Sequence, residues 1–405
     1  MAIADSTTSD IAAKNPRPFA LSEGGPFRRL LSSLHLVSPA GRIRGEWLAA
    51  FAWLPFALGE AARSLDAGPD PTVFDISVHT RLLVALPVMC WAEWLVNSAG
   101  LSALSSFVRG RFCPAAQVDA ILARAERARD AWWPEAALAV LALAGGQFAL
   151  WMATGTTGLF SGGQTSRGLS FPYVWYVAIA LPLALFVMFR WLWRWAIWSF
   201  ILVSIARLKL EPIGSHPDHA GGLGCMARPL SGYALFTFAI GAVLAGAWET
   251  QIRGGHATLQ SELPTLLWFV LLMLAVGIVP LLPFSGHLYK TRRRSLAQYG
   301  DFANEYVRGF QRKWIADTPG TSAFPDRPVG RGEDALGSND IQSLADLSQA
   351  YAVVSKTHLF VFSGRSVMAI AFGAMVPMLP ILSRTLTVED ILKRILSAVI
   401  GGLPL

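Results

Sequence analysis

The stretch Glu211 to Met226, "EPIGSHPDHAGGLGCM", gathers four ligand-capable side chains, His216, Asp218, His219 and Cys225. Two imidazoles, a carboxylate and a thiol could hold zinc, which takes nitrogen and sulfur ligands tetrahedrally. His287, Asp301 or His358 could complete such a set. A different chemistry is suggested by His216, Asp218, His219, Gly221 and Gly222. They reproduce the tail of the H-x-H-x-D-H-x-G-G pattern of metallo-β-lactamase-like hydrolases. The first histidine of that pattern is replaced by Gly214, and the flanks read as membrane helices, not strands. The third reading is structural. Pro217 stiffens the entry, the glycines permit positive φ, and Asp218 can cap the turn that follows. Backbone N–H groups of such a turn can also bind an anion, for example a lipid phosphate.

Two polar residues interrupt apolar runs: Glu93 in "CWAEWLV" and Gln147 in "AGGQFAL". A carboxylate at membrane depth is costly, so Glu93 should face a bundle interior or a water-filled cavity. Both lie about a dozen residues from the ends of their segments, so they are expected at similar depth and within reach of each other. They would then line a transport path, or form one interhelical hydrogen bond worth about 0.6 kcal/mol. The chain has no Walker-type phosphate loop, no G-x-G-x-x-G after a strand, no serine elbow, no H-E-x-x-H and no Cys-x-x-Cys. An enzyme reading therefore rests on the histidine loop alone, and the chain is not expected to be one. No cofactor is expected beyond the possible zinc.

The elements that must position these residues follow from composition. Of 405 residues, 53% are hydrophobic and only 15% charged, with mean hydropathy +0.43. Soluble domains carry about a quarter charged residues. An all-α fold is expected: a polytopic bundle of six or seven transmembrane helices, with further helices in the cytoplasm. A bilayer core needs roughly 20 apolar residues as helix. The candidates are 47–65 (weak, with Pro55), 81–104, 135–154, 172–190, 230–248, 263–288 and 366–382. Pro280 and Pro283 predict a bend near the end of the sixth. Ala242 with Gly246, and Gly145 with Gly146, predict close helix packing.

Charge sets the orientation. Lys and Arg number 6 in residues 1–45, 5 in 105–134, 5 in 190–228 and 11 in 289–365, which is 27 of 34. The intervening connections 66–79, 155–171 and 249–263 hold 0, 1 and 1. The positive-inside rule then places the N-terminus in the cytoplasm of a bacterial inner membrane. It accounts for the net charge of +7 without nucleic acid. It also makes residues 195–208 a continuation of the fourth helix or an interfacial helix, not a crossing. Arg190, Trp191, Trp193, Arg194 and Trp195, in "RWLWRW", are expected to anchor at the interface, with the arginines on anionic lipid headgroups. Cys90, Cys113 and Cys225 imply no disulfide framework. The first 45 residues lack an apolar h-region, so no cleaved signal peptide is expected.

Four regions result: a cytoplasmic tail (1–45), a helix bundle (46–288) with loops 105–134 and 190–228, a cytoplasmic helical region (289–365) with a flexible loop at 316–339, and a seventh helix with an amphipathic tail (366–405). Residues 115–130 read as an amphipathic helix with Val118, Ile121, Leu122 and Ala125 on one face. Tyr299, Phe302, Tyr306, Phe310 and Trp314 form a stripe on a helix leaving the sixth span. Asp340 could cap a helix through Thr357, with Ile341, Leu344, Leu347, Tyr351 and Val354 inward.

The run "RWLWRW…LEPIGSHPDHAGGLG", with "LGSNDIQSLADL" at 336–347, resembles a family of bacterial multi-pass inner-membrane proteins that carry an H-P-D-x-x-G-G-L-G loop and a D-I-Q-S-L-A-D-L segment. The resemblance covers roughly Arg190 to the C-terminus. It implies architecture and bacterial origin and transfers no chemistry. The expected function is a channel or transporter for a small solute or ion, as a homo-oligomer, with Glu93 and Gln147 in its path. The alternatives are a membrane-embedded enzyme built on the histidine loop, and a scaffold whose cytoplasmic helices bind a partner.

Overall fold

A computed structural model of the chain describes residues 19–67, 76–155, 164–165, 168–169, 171–315 and 339–381. Their order is α1 (Pro26–Ser33), α2 (Gly45–Ala67), α3 (Ile76–Arg109), α4 (Ala115–Asp130), α5 (Trp132–Gly155), α6 (Phe171–Ala206), α7 (Leu230–Arg253), α8 (Leu259–Ile278), α9 (Phe284–Phe310), α10 (Asn339–Ser355) and α11 (Gly364–Met375). Two two-residue strands, Gln164–Thr165 and Gly168–Leu169, pair antiparallel between α5 and α6. Five stretches are long and apolar enough to cross a membrane: Ile76–Arg109, Phe171–Ala206, Gly224–Arg253, Gln260–Leu281 and Gly364–Ile381. The other two expected crossings are helices, α2 and α5, but fall outside those five. The amphipathic tail 388–400 and the loop 316–338 lie outside the described residues.

Proline shapes the long helices. In α3 and α6 the runs "VALP" and "IALP" place Pro87 and Pro182 inside a continuous helix. Each follows a π-helical turn, Thr80–Ala85 and Tyr176–Ala180. Proline cannot donate to the carbonyl one turn earlier and its ring crowds it; a widened turn relieves both problems. The Arg81 guanidinium donates to the Tyr176 hydroxyl, tying the two turns together. At Pro280, where a bend is expected, a 3₁₀ turn at Val279–Leu281 separates α8 from α9, and Pro377 lies in a matching turn at Val376–Met378.

The connections rich in Lys and Arg gather at one end of the bundle, here the basic end. Arg129 donates to Ala20 O, Glu211 N–H to Phe112 O, and Thr357 Oγ1 to Gly214 O. Residues 195–206 continue α6, whose 36 residues run about 54 Å. That exceeds a hydrocarbon core of about 30 Å. The excess packs on α4 at the basic end, where Val118, Ile121, Leu122 and Ala125 are buried as their spacing requires.

Helices α7 and α11 make the closest crossing. An added Cβ at Gly373 would sit 2.4 Å from Ala234 O. Gly373→Val is expected to wedge the pair apart and cost about 1–3 kcal/mol, as overpacking does, read as a lowered unfolding midpoint in detergent. Gly246 is similarly tight, its missing Cβ 2.1 Å from Thr80 Oγ1, as the small-residue pair with Ala242 suggested.

Helices α9 and α10 pack side by side. The aromatic stripe is half-buried there except for Phe302, which is exposed. Asp340 is not a free helix cap: its carboxylate accepts from Lys313 Nζ and Trp314 Nε1. Tyr351, expected inward, is exposed, because Ala350 and Val354 take the facing positions.

Candidate functional site

Four ionisable residues meet in the interior: Glu93 of α3, Glu135 in the first turn of α5, and Arg190 and Arg194 of α6. Their exposures are 6%, 4%, 1% and 2%. Arg190 and Arg194 are one helical turn apart and so share a face. Arg190 Nη1 donates to both Glu93 oxygens, at 2.7 and 2.6 Å, and its Nε donates to Glu135 Oε1 at 3.2 Å. Arg194 Nη2 donates to the same Glu135 oxygen at 3.1 Å. The formal charges cancel. Burial of charge is tolerable only with such pairing and hydrogen bonding. Two guanidinium nitrogens, Arg190 Nη2 and Arg194 Nε, have no acceptor among the described residues.

The segment that precedes α2 covers this network. Phe19, Ala20, Leu21 and Ser22 are buried, and Ser22 N–H donates to Asn97 Oδ1 on α3. Gly24 O accepts from Arg194, and Phe27 N–H donates to Glu135 Oε2 at 2.8 Å. The Phe27 ring lies against the Arg190 guanidinium at 5.3 Å and edge-on to Phe186. Gly25 adopts φ +86, and a Cβ there would fall 2.6 Å from Glu135 Oε1. The expected tail is thus, from residue 19 onward, part of the bundle wall.

Two expectations are corrected by this geometry. Arg190, Arg194, Trp191 and Trp195 are not lipid anchors: all four are buried, and the arginines are paired with the carboxylates. Trp191 stacks on Phe236 at 3.6 Å and on Trp195. Trp193 is half-buried against Trp133. Depth was legible, since Arg190 lies about 28 Å along α6 from Phe171, but the face of α6 that carries Arg190 and Arg194 meets the carboxylates of α3 and α5. Glu93 also does not approach Gln147. Arg190 holds Glu93 level with Glu135, and Gln147 lies about 18 Å further along α5 on an exposed face. The two were equally far from the segment ends expected from hydropathy, but α3 begins at Ile76, and that displaces Glu93 along the bundle.

The histidine loop is organised by Asp218. Its Oδ1 accepts from the Ala220 and Gly222 amides at 2.8 and 3.0 Å, and its Oδ2 from the Gly224 amide at 3.1 Å. His216 Nδ1 is 2.8 Å from Oδ1. Burial alone would raise the carboxyl; the Gly222 and Ala220 amides, His216 and the Gly224 amide outweigh it and hold the group below the usual carboxylate range. His219 and Gly222 take positive φ, +53 and +86, and a Cβ at Gly222 would meet Phe112 at 2.2 Å. Cys225 is buried, its thiol toward Gly222 O, and the His219 ring meets His358 at 5.9 Å between centroids. His287 Nε2 is paired with Ala206 O. Among the described residues no three His, Cys, Asp or Glu side chains converge as a metal-ligand set. His216, Asp218, His219 and Cys225 form a turn.

Sequence reading overlooked Glu135, the apolar segment 19–22, and two cations beside the loop, Arg228 and Arg365. A signal existed for the first: a carboxylate at the start of a span, opposite two arginines spaced four apart. No family model, curated protein or solved structure matches this chain.

Proposed function

We propose that the protein is an integral membrane conduit for a small solute or ion, of anionic or carboxylate type. The supporting observation is the pair of guanidinium nitrogens without an acceptor among the described residues, Arg190 Nη2 and Arg194 Nε, in an otherwise paired and buried charge network. Intramembrane ionisable groups mark ion and substrate pathways, and spare guanidinium N–H groups suit oxyanions. The segment 19–33 closes the basic end over the network, so the arrangement corresponds to a shut state. Glu93 and Glu135 are the internal anions that a passing anion would displace from the arginines. Gln147 has no part in this reading.

The same reading takes α2 and α5 as crossings, which makes seven. Their outward faces expose Trp47, Phe51, Leu54 and Leu58, and Trp132, Trp133, Val140 and Leu141, surface that a bilayer would cover. The gathered basic connections favour a cytoplasmic N-terminus in a bacterial inner membrane.

Anion efflux from liposomes tests the proposal. Deleting residues 1–33 should raise chloride or acetate flux at least tenfold over the full chain, and Arg194→Gln in the truncated chain should reverse the gain. Flux at the level of protein-free liposomes for both chains, with both folded by circular dichroism, would end the conduit reading.

A further inference from the structure

Beside the histidine loop, and away from the buried network, a cleft of about 780 Å³ opens at the heads of three membrane-long helices. Its walls come from the end of α3 (Ser106), the turn before α7 (Arg228), the first turn of α7 (Ser231), the histidine loop (His216) and the start of α11 (Ser363, Arg365). Its apolar lining includes Phe112, Phe360 and Phe362. The lining holds two guanidinium groups, Arg228 and Arg365, and one carboxylate, Asp218. That carboxylate is already occupied by three backbone amides. The cleft is therefore cationic in effect. Arg228 is held ready by Ser102 and Ser106, with its Nη1 on both hydroxyls at 2.8 and 3.0 Å; its other nitrogens are uncommitted to those groups.

The surface leading away from the cleft tells what kind of molecule fits. Arg365 opens a line along α11 and the turn after it, continued by Met368, Phe372, Met375, Val376 and Leu379, all exposed. The spacing of three and four residues puts them on one face. A cationic pocket at the head of a membrane-long helix, continuous with an exposed apolar stripe on that helix, has the polarity of a phospholipid. We infer that this cleft binds a phosphate ester through Arg228 and Arg365, and that the ester is the headgroup of an anionic phospholipid whose acyl chain lies on the stripe. Arginine suits phosphate because its fork of N–H donors matches two oxygens. The anionic headgroup expected at Arg190 and Arg194 is thereby assigned to a different pair of arginines. The inference is independent of the conduit reading: it requires neither the buried network nor transport.

The test uses the purified full-length chain, delipidated in neutral detergent. Phosphatidylglycerol, phosphatidylcholine and glycerol 3-phosphate are titrated separately, and binding is read by native mass spectrometry and by the shift in unfolding midpoint. Phosphatidylglycerol should bind at least tenfold more tightly than phosphatidylcholine, and Arg365→Gln should remove most of that preference. Arg365 is exposed and takes no part in the Ser102 and Ser106 contacts, so its variant should fold; Arg228→Gln should act in the same direction. Phe372→Asn should weaken the lipid and leave glycerol 3-phosphate unaffected. If glycerol 3-phosphate competes as well as the lipid and Phe372→Asn changes nothing, the phosphate site stands but its source is water-soluble, and the lipid assignment falls. If phosphatidylglycerol and phosphatidylcholine bind equally, or Arg365→Gln and Arg228→Gln both keep the full preference, the site itself is refuted.

Discussion

Arg190→Met is expected to cost about 3–5 kcal/mol of fold stability, the range for removing one partner from a buried ion pair. The guanidinium supplies three of the hydrogen bonds that satisfy Glu93 and Glu135. Without it, Arg194 still serves Glu135, but Glu93 keeps no cation within the network. A buried carboxylate in that state must take up a proton or draw in water. The variant should therefore unfold at markedly lower temperature in detergent. The double change Arg190→Met with Glu93→Leu removes both charges together. Replacing a buried pair by apolar groups of similar size is often neutral, so the double variant should regain most of the lost stability. If the single variant melts within a degree of the parent, the network is not what holds α3, α5 and α6 together.

That double variant also separates structure from transport. A network that serves only as a staple can be replaced by an apolar one with no change of flux. A network that passes an anion cannot, because its donors are gone. Stability restored with flux abolished would favour the conduit; stability and flux both retained in a truncated chain would make the charges architectural. The N-terminal segment enters the same comparison, since its Gly24 and Phe27 contacts are with members of the network.

What could be read from the sequence, and what could not, divides by distance along the chain. The π and 3₁₀ turns follow from local proline placement, the buried face of α4 from its four-residue spacing, and the turn at Asp218 from Pro-Asp and glycine chemistry. Each is a contact within a few residues. The charge network joins residues 97, 55 and 59 positions apart, and nothing in the spacing of one chain records such a pairing. Amphipathic composition misled in one place: "RWLWRW" has the chemistry of an interface anchor, and aromatics with arginines serve a protein core equally well when acids wait across the bundle. Hydropathy marked the five stretches that are long and apolar enough to cross a membrane, but could not tell which of their faces meet protein. The same distinction decides whether Gln147 lines a path or a membrane surface.

Asp218→Ala should have the second largest effect, and its reach should be local. The change leaves the Ala220, Gly222 and Gly224 amides without their acceptor. An orphaned donor costs about 1–3 kcal/mol when fully buried; the Asp218 side chain is itself partly exposed, so water can take its place, and the total should be about 2 kcal/mol. The turn that keeps Cys225 inward would then open, and Cys225 should react with a thiol reagent at least tenfold faster at pH 7, read by mass spectrometry of the labelled peptide. Asp218→Asn should fall between, since one oxygen survives and the amide nitrogen faces a donor. Acid should reproduce the effect in the parent chain. The folded carboxyl sits below its unfolded value of about 3.9, so its contribution is complete above that value and is lost as pH falls through the folded pKa. Cys225 protection should therefore hold unchanged from pH 7 down to about 5, where the unfolded carboxyl begins to titrate, and fail only in stronger acid. Loss of protection above pH 5 would show that the Asp218 carboxylate is not what locks the turn.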